Sequence, residues 1–346
     1  MERMTNAGRK EEHLRITLNE DVAFEQVTTG FEAYDFVHQA LPEINLRDVD
    51  LSTVFLGHSL RAPLLISPMV GGIEEARRIN RNLATAAQEA GVAMSVGSLR
   101  CAIEDQGVAA TYQVRDVAPD VLLFANLGAV QLNRGYGVEE CRMAVEMVGA
   151  DALTLHLNPL QEALQPGGDT DFAGLLAKIA GVCASLDVPV LVKEVGWGIS
   201  DAVARRLVEA GVAGIDVAGA GGTCWSEVER LRSDGAMPAN VALAFAGWGI
   251  PTAESIRLVR QAAPEVALVA SGGVRTGVDV AKALALGADV AGFAAPLLKA
   301  ASESAEGAAA YLRQVVEELR LAMFCTGARS IADLRDSPHL KKRGGE

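Results

Sequence analysis

The rhythm of hydrophobic positions changes at Pro63. From there on, short runs of apolar, β-type residues alternate with longer stretches whose apolar positions recur every three to four residues. The runs predict strands near 63–69, 92–97, 121–127, 152–157, 189–195, 213–218, 266–271 and 289–294. The longer stretches predict helices between them, for example over 74–90, 200–210, 252–263 and 277–286. Gly91, Gly211 and Gly287 each stand between a helical stretch and the next strand, where a helix C-terminus favours glycine. Eight β-α units in succession predict an α/β fold, a closed (β/α)8 barrel of the TIM type. An open doubly wound sheet is the alternative. It lacks support from a strand-linked GxGxxG, since Gly219-Ala220-Gly221-Gly222-Thr223 is missing the last glycine.

The barrel is expected over 63–325, preceded by an N-terminal arm and barrel cap over 1–62 and followed by a frayed tail over 326–346. The arm contains a short apolar, helix-like piece near 31–41. The longest interruption, 221–250, is an inserted loop between strand six and its helix, and it holds two of the three tryptophans. Long loops at the C-terminal ends of barrel strands usually carry function.

Composition narrows the partners. The chain has 346 residues, half of them hydrophobic, with a net charge of −13 and a pI of about 5.0. No Lys/Arg-rich block is present, which argues against nucleic acid. Five scattered cysteines without a CxxC pair fit reduced thiols. The polar N-terminus does not read as a signal peptide, and no apolar run approaches a membrane span of about 20 residues. A cytoplasmic protein is the expectation.

The predicted strands end alike, in polar groups and glycines. The fourth is the richest: Ala152-Leu153-Thr154-Leu155 leads into His156-Leu157-Asn158-Pro159-Leu160-Gln161-Glu162. Strand alternation puts Leu153, Leu155 and Leu157 on one face and Thr154, His156 and Asn158 on the other. Pro159 ends the strand pattern, so Gln161 and Glu162 are expected on a loop. Glycine-rich ends on strands six, seven and eight, including Gly272 and Gly273, suit a phosphate beside helix N-termini, or else form only tight turns. Lys193 should lie buried in the barrel mouth. It would face an anionic or electron-rich partner such as the isoalloxazine of FMN, or form an internal salt bridge to Asp216. Ser98 and Arg100 share strand parity. With Arg9, Lys10, His13 and His156 they supply cations suited to a diphosphate, although Arg9 and Lys10 alone would read as a solvated arm. Glu162 has no His/Cys neighbours and suits Mg2+, if it is not simply a surface carboxylate.

Assembled, these motifs resemble the type 2, FMN-dependent isopentenyl-diphosphate Δ-isomerases, from Arg9 to about Gly327. The resemblance is carried by Arg9-Lys10-Glu11-Glu12-His13, Met69-Val70-Gly71-Gly72, Gly97-Ser98-Leu99-Arg100, the His156–Glu162 segment, Lys193-Glu194-Val195-Gly196, Gly221-Gly222-Thr223 and Ser271-Gly272-Gly273-Val274-Arg275. It implies interconversion of isopentenyl and dimethylallyl diphosphate by an allylic proton shift. Reduced FMN would act as acid and base, with NADPH as its reductant, Mg2+ on the diphosphate, and a homo-oligomer (tetramer or octamer). By the same resemblance Pro68, Met69, Val70, Ser98, Asn126, Lys193 and Thr223 would contact FMN. Gly272, Gly273, Arg275, Ala294 and Ala295 would surround its phosphate. Arg9, Lys10, Ser98, Arg100, His156, Asn158 and Gln161 would hold substrate, and Glu162 the metal. Gln161, Lys193 and His156 are the catalytic candidates.

Two positions depart from the family pattern, Val70 where threonine is usual and Leu99 where glutamine is usual. They leave room for a flavin-binding paralogue without isomerase activity. An IMP-dehydrogenase-like barrel would use Cys224 as nucleophile. An FMN 2-hydroxy-acid oxidase would need a late histidine, and none occurs between His156 and His339.

Overall fold

The computed structural model describes residues 6–232, 239–335 and 337–344. Eight parallel strands close into a barrel: β1 (Leu64–Ile66), β2 (Ala93–Ser95), β3 (Leu123–Gly128), β4 (Ala152–His156), β5 (Val190–Lys193), β6 (Gly214–Asp216), β7 (Ala267–Ala270) and β8 (Val290–Phe293). Each pairs with its neighbours in sequence order, and β8 returns to β1. The helices are α1 (Asn6–Asn19), α2 (Glu74–Ala90), α3 (Arg100–Glu104), α4 (Val138–Val148), α5 (Pro159–Leu164), α6 (Leu175–Ser185), α7 (Asp201–Glu209), α8 (Trp225–Arg232), α9 (Ala239–Leu243), α10 (Thr252–Ala262), α11 (Gly277–Ala285), α12 (Ala295–Glu303), α13 (Ala305–Thr326) and α14 (Ile331–Arg335).

Alternation along the strands decides what faces where. Leu64 and Ile66 of β1, Leu153 and Leu155 of β4, and Val190 and Val192 of β5 point outward into the core shared with the helices. Leu65, Phe124, Ala152, Leu191, Val269 and Val290 point inward and fill the lower barrel. The helices answer with apolar stripes. On α2, Ala76, Ile79, Leu83 and Ala87 are buried at helical spacing. A hairpin of 53–55 and 58–60 closes the N-terminal end of the barrel, with Phe55 packed 6.5 Å from Phe124 between ring centres. Fully burying such a side chain stabilises by about 2 kcal/mol.

Inward parity continues to the C-terminal end, but there the inward positions are polar. The register aligns Gly128, His156, Lys193 and Asp216 as neighbours on β3 to β6. Below them apolar side chains exclude water. Above them the strands open into loops.

The structure departs from the sequence expectations in five places. The expected loop over 221–250 contains α8 and α9, and its residues 233–238 lie outside the described residues. The piece near 31–41 is not helical. A short 3-10 turn at Phe31–Ala33 leads to a strand, Tyr34–Phe36, which pairs antiparallel with Leu340–Lys342. That pairing also shows the tail is not frayed there, because α14 packs on α11 and the strand beyond it finds a partner over 300 residues earlier in the chain. Gln161 and Glu162 lie on α5 rather than on a loop. Pro159 ends the strand and also occupies the first helical turn, where its missing N–H costs nothing. Finally, β2 stops at Ser95 and Arg100 opens α3, so Ser98 and Arg100 are not related by strand parity.

A candidate active site at the barrel mouth

The C-terminal ends of the strands surround a cavity of about 400 Å3. Every site residue named from the sequence lines it: Arg9 and Lys10 of α1; Pro68, Met69 and Val70 after β1; Ser98 and Arg100 after β2; Asn126; His156, Asn158, Gln161 and Glu162; Lys193; Thr223; Gly272, Gly273 and Arg275 after β7; and Ala294 and Ala295 after β8. Residues spread over nearly three hundred positions converge because all but the α1 pair lie at, or in the segment after, the same end of a strand.

At the floor lies the polar layer. Lys193 is buried. It donates to the Glu194 carbonyl and stands 4.0 Å from the Asp216 carboxylate. Asp216 accepts from Ser271 Oγ at 2.6 Å and from the Ala218 N–H at 3.2 Å. Burial raises its pKa, while Lys193 acts in the opposite direction. The internal salt bridge is therefore present, but long, and Lys193 still lines the cavity. His156 pairs through Nδ1 with Asn126 Oδ1 at 2.9 Å. Burial, and then the nearby positive charge of Lys193, lowers its pKa to about 3. His156 is therefore a neutral hydrogen-bonding group, and its place among the cations is corrected: a buried imidazole beside an ammonium does not hold a second positive charge.

The α5 segment forms one wall. Glu162 is buried and accepts from Asn158 Nδ2 (3.0 Å), Gln165 Nε2 (2.5 Å) and the Asp169 N–H (2.7 Å). It is not a surface carboxylate. Gln161 Nε2 donates to Glu229 Oε1 at 3.2 Å. Glu229 also accepts from Arg232 Nε at 2.8 Å and meets His13 Nε2 at 2.9 Å. Burial disfavours its charge, but these partners hold its pKa below the usual carboxylate value. Arg100 pairs with Asp169 at 3.0 Å and Glu104 at 2.8 Å. Trp225 packs edge-on against His13, with centroids 5.3 Å apart.

Glu229, Trp225 and Asp169 were missed from sequence. On α8, Glu229 and Arg232 are spaced i, i+3 and look like any surface ion pair. The docking of α8 against both α1 and α5 buries them.

The glycine-rich ends are built for close approach. Gly272 has φ +103°, and a Cβ there would lie 2.2 Å from the Gly219 carbonyl oxygen. Gly222 and Gly273 meet backbone to backbone, with a Cβ on Gly222 falling 2.4 Å from the Gly273 nitrogen. The start of α12 adds N–H groups at Ala294 and Ala295. Several buried polar atoms in the lining have no protein partner, namely Ser67 Oγ, Asn126 Nδ2 and Asn158 Oδ1. Unpaired groups of this kind cost about 1–3 kcal/mol each unless a ligand satisfies them. A heteroaromatic cofactor with several acceptors and a phosphate fits this lining. No group of three or more His, Cys, Asp or Glu capable of holding a metal occurs among the described residues. A cation here would rely on Glu162 and ligand oxygens.

The two departures differ in kind. Val70 lines the cavity, whereas Leu99 is fully buried away from it. Cys224 is also buried outside the cavity lining, with Sγ 3.0 Å from Ser226 Oγ, which disfavours it as a nucleophile.

Comparison with known proteins agrees. The family described as FMN-dependent dehydrogenase matches residues 7–116 and 158–342. Two solved structures of mandelate oxidase share the fold at 20% and 22% identity. Their TM-scores are 0.66 and 0.65, and the matches cover 97% and 98% of this chain and 98% of each of those. Proteins named isopentenyl-diphosphate delta-isomerase are far more similar. One from Stutzerimonas stutzeri is 54% identical and covers 99% of both chains. One from a Nostoc species is 53% identical over 97% of this chain and 96% of its own. One from Oceanobacillus iheyensis is 48% identical over 97% and 96%. With more than half of the residues identical end to end in the first two, the chain belongs to the type 2, FMN-dependent isopentenyl-diphosphate delta-isomerases, within the FMN-dependent dehydrogenase family.

Proposed function

We propose that this protein interconverts isopentenyl and dimethylallyl diphosphate by a 1,3-allylic proton shift, with FMN and Mg2+ as cofactors and NADPH as the source of reduced flavin. One observation carries the reading. A single cavity is lined by the cations of α1 and α3, by a buried carboxylate–amide wall, and by a floor where a lone lysine lies beside a neutral histidine.

Lys193 would hold the electron-rich edge of the flavin ring, with Asn126 supplying its free N–H to the same ring. The backbone at Gly272, Gly273, Ala294 and Ala295 would receive the flavin phosphate. Reduced FMN, when bound, would supply an electron-rich face beside the alkene and a nitrogen able to exchange protons.

The remaining work falls to side chains. Arg9, Lys10 and Arg100 would bind the diphosphate, and Glu162 would share Mg2+ with its oxygens. Binding energy from this remote group would hold the alkene in reactive position. Gln161, fixed by Glu229, would lie against the reacting carbons. It would either relay a proton or orient the double bond. His156, neutral through the working pH range, would orient the ligand by hydrogen bonding without adding charge that opposes a cationic transition state.

The test is an anaerobic assay with FMN, NADPH, Mg2+ and isopentenyl diphosphate, following dimethylallyl diphosphate. Product should form only when the flavin is reduced. Gln161→Glu and Glu162→Gln should each lower turnover by roughly tenfold or more while FMN stays bound. A yellow protein that makes no product would overturn the proposal.

A further inference from the structure

Lys10 reaches the mouth from α1, outside the barrel. Its ammonium donates to the Ser98 carbonyl at 2.7 Å and to the Tyr112 phenol oxygen at 2.5 Å, and it lies 5.0 Å from the Tyr112 ring centre. Tyr112 donates to the same Ser98 carbonyl at 2.8 Å. The phenol is thus both acceptor and donor in a closed triangle. Tyr112 is fully buried and does not line the cavity.

The loops are shaped around it. A Cβ on Gly71 would fall 1.9 Å from its ring. The Gly72 N–H donates to Thr111 Oγ1 at 2.8 Å, and Asn80 donates to the carbonyls of Thr111 (2.8 Å) and Val70 (3.2 Å). The turn after β1, the loop after β2 and α1 therefore meet at one phenol.

We propose that Tyr112 is a positioning residue for diphosphate binding: without touching the ligand, it holds the Lys10 ammonium at the mouth and so sets anion affinity there. The inference rests on reading the mouth as a diphosphate site. The groups facing the ammonium are Cys101 and Glu104 of α3, Arg9 on its own helix and His156 of β4. Burial lowers Lys10 to about 8 from 10.5. The ammonium is charged below that value and lost above it. The phenol oxygen, as acceptor, favours the charged form, so its removal moves the alkaline limit of anion binding to lower pH.

The experiment measures inorganic pyrophosphate affinity across pH by calorimetry, together with steady-state kinetics on isopentenyl diphosphate. It compares the wild type, Tyr112→Phe, Lys10→Met and the double variant. Tyr112→Phe should weaken pyrophosphate binding and raise KM by about tenfold, with kcat within about twofold and FMN binding unchanged. Its alkaline limb should move to lower pH. In the Lys10→Met background the same substitution should have no further effect. Should Tyr112→Phe fail to fold, 3-fluorotyrosine at position 112 keeps the shape, weakens the acceptor and should shift the limb in the same direction. An unchanged affinity and limb in the folded variant, or an equal loss without Lys10, overturns the inference alone. A wild-type protein that binds no pyrophosphate overturns the reading of the site and the inference with it.

Discussion

Glu194 shows how one buried side chain can make stability depend on pH. Its Oε2 accepts from the N–H groups of Val195, Gly196 and Trp197 at 2.6–2.7 Å and so shapes the turn after β5. Desolvation outweighs these bonds and raises its pKa from 4.5 to about 7. The fold therefore favours the protonated acid. This contribution is fully present below about pH 4.5 and is lost as pH rises through 7, roughly 3 kcal/mol in all. Glu194→Gln keeps an acceptor oxygen and cannot ionise. It should remove this part of the pH dependence, leaving the variant about 4 °C higher in Tm than the parent at pH 8 relative to their difference at pH 5. Thermal denaturation at the two pH values checks it; parallel curves would refute the assignment. The same balance of desolvation and neighbours operates at His156, where burial and the Lys193 ammonium both disfavour charge.

Among the elements, the strand-to-helix junctions set the shape of the mouth. Those after β6 and β7 touch backbone to backbone at Gly219, Gly222, Gly272 and Gly273. Gly272→Ala would introduce a side chain at φ +103° with its Cβ only 2.2 Å from the Gly219 carbonyl oxygen. The variant should lose about 3 kcal/mol or more of stability and bind FMN more weakly, measured by denaturation and flavin titration. A normal Tm with normal flavin affinity would show that the junction can relax. The α5 helix makes the complementary point. Starting at Pro159, it turns Gln161 and Glu162 inward, to 8% and 7% exposure. On a loop, the same residues would have no fixed direction.

Across the whole molecule, the arm before the barrel completes the site. The first half of α1 carries Arg9 and Lys10, and its second half anchors it through His13, Leu14 and Ile16, the last two buried. Removing residues 1–10 takes away Arg9 and Lys10 but spares that anchor, the His13–Glu229 pair and the barrel. Tm and FMN affinity should change little, while diphosphate affinity should fall about 100-fold through loss of two charge-assisted contacts. Calorimetry with pyrophosphate reads this directly, and retained affinity would show that the arm is dispensable. In a chain with net charge −13, Arg9, Lys10, Arg100, Lys193 and Arg275 are gathered around this one cavity.

Much of this was legible from residue order. Hydrophobic period, terminal glycines and eight repeated units are local properties, so the barrel, its strand positions and the polar character of one end could be read from the sequence. The resemblance, carried by short contiguous motifs, named the residues that line the cavity. Distant meetings were not legible. The burial of Glu229 against His13 and Gln161, the bracing of Lys10 by Tyr112 and the pairing of Tyr34–Phe36 with the chain's end each join segments separated by 68 to about 300 positions. No spacing rule relates such segments. Nor does a sequence show whether His156 carries charge, because its pKa is set by burial and by Lys193 on the next strand. The chain by itself determined the fold and which residues gather at one end; tertiary packing alone decided which of them touch, and therefore which are charged.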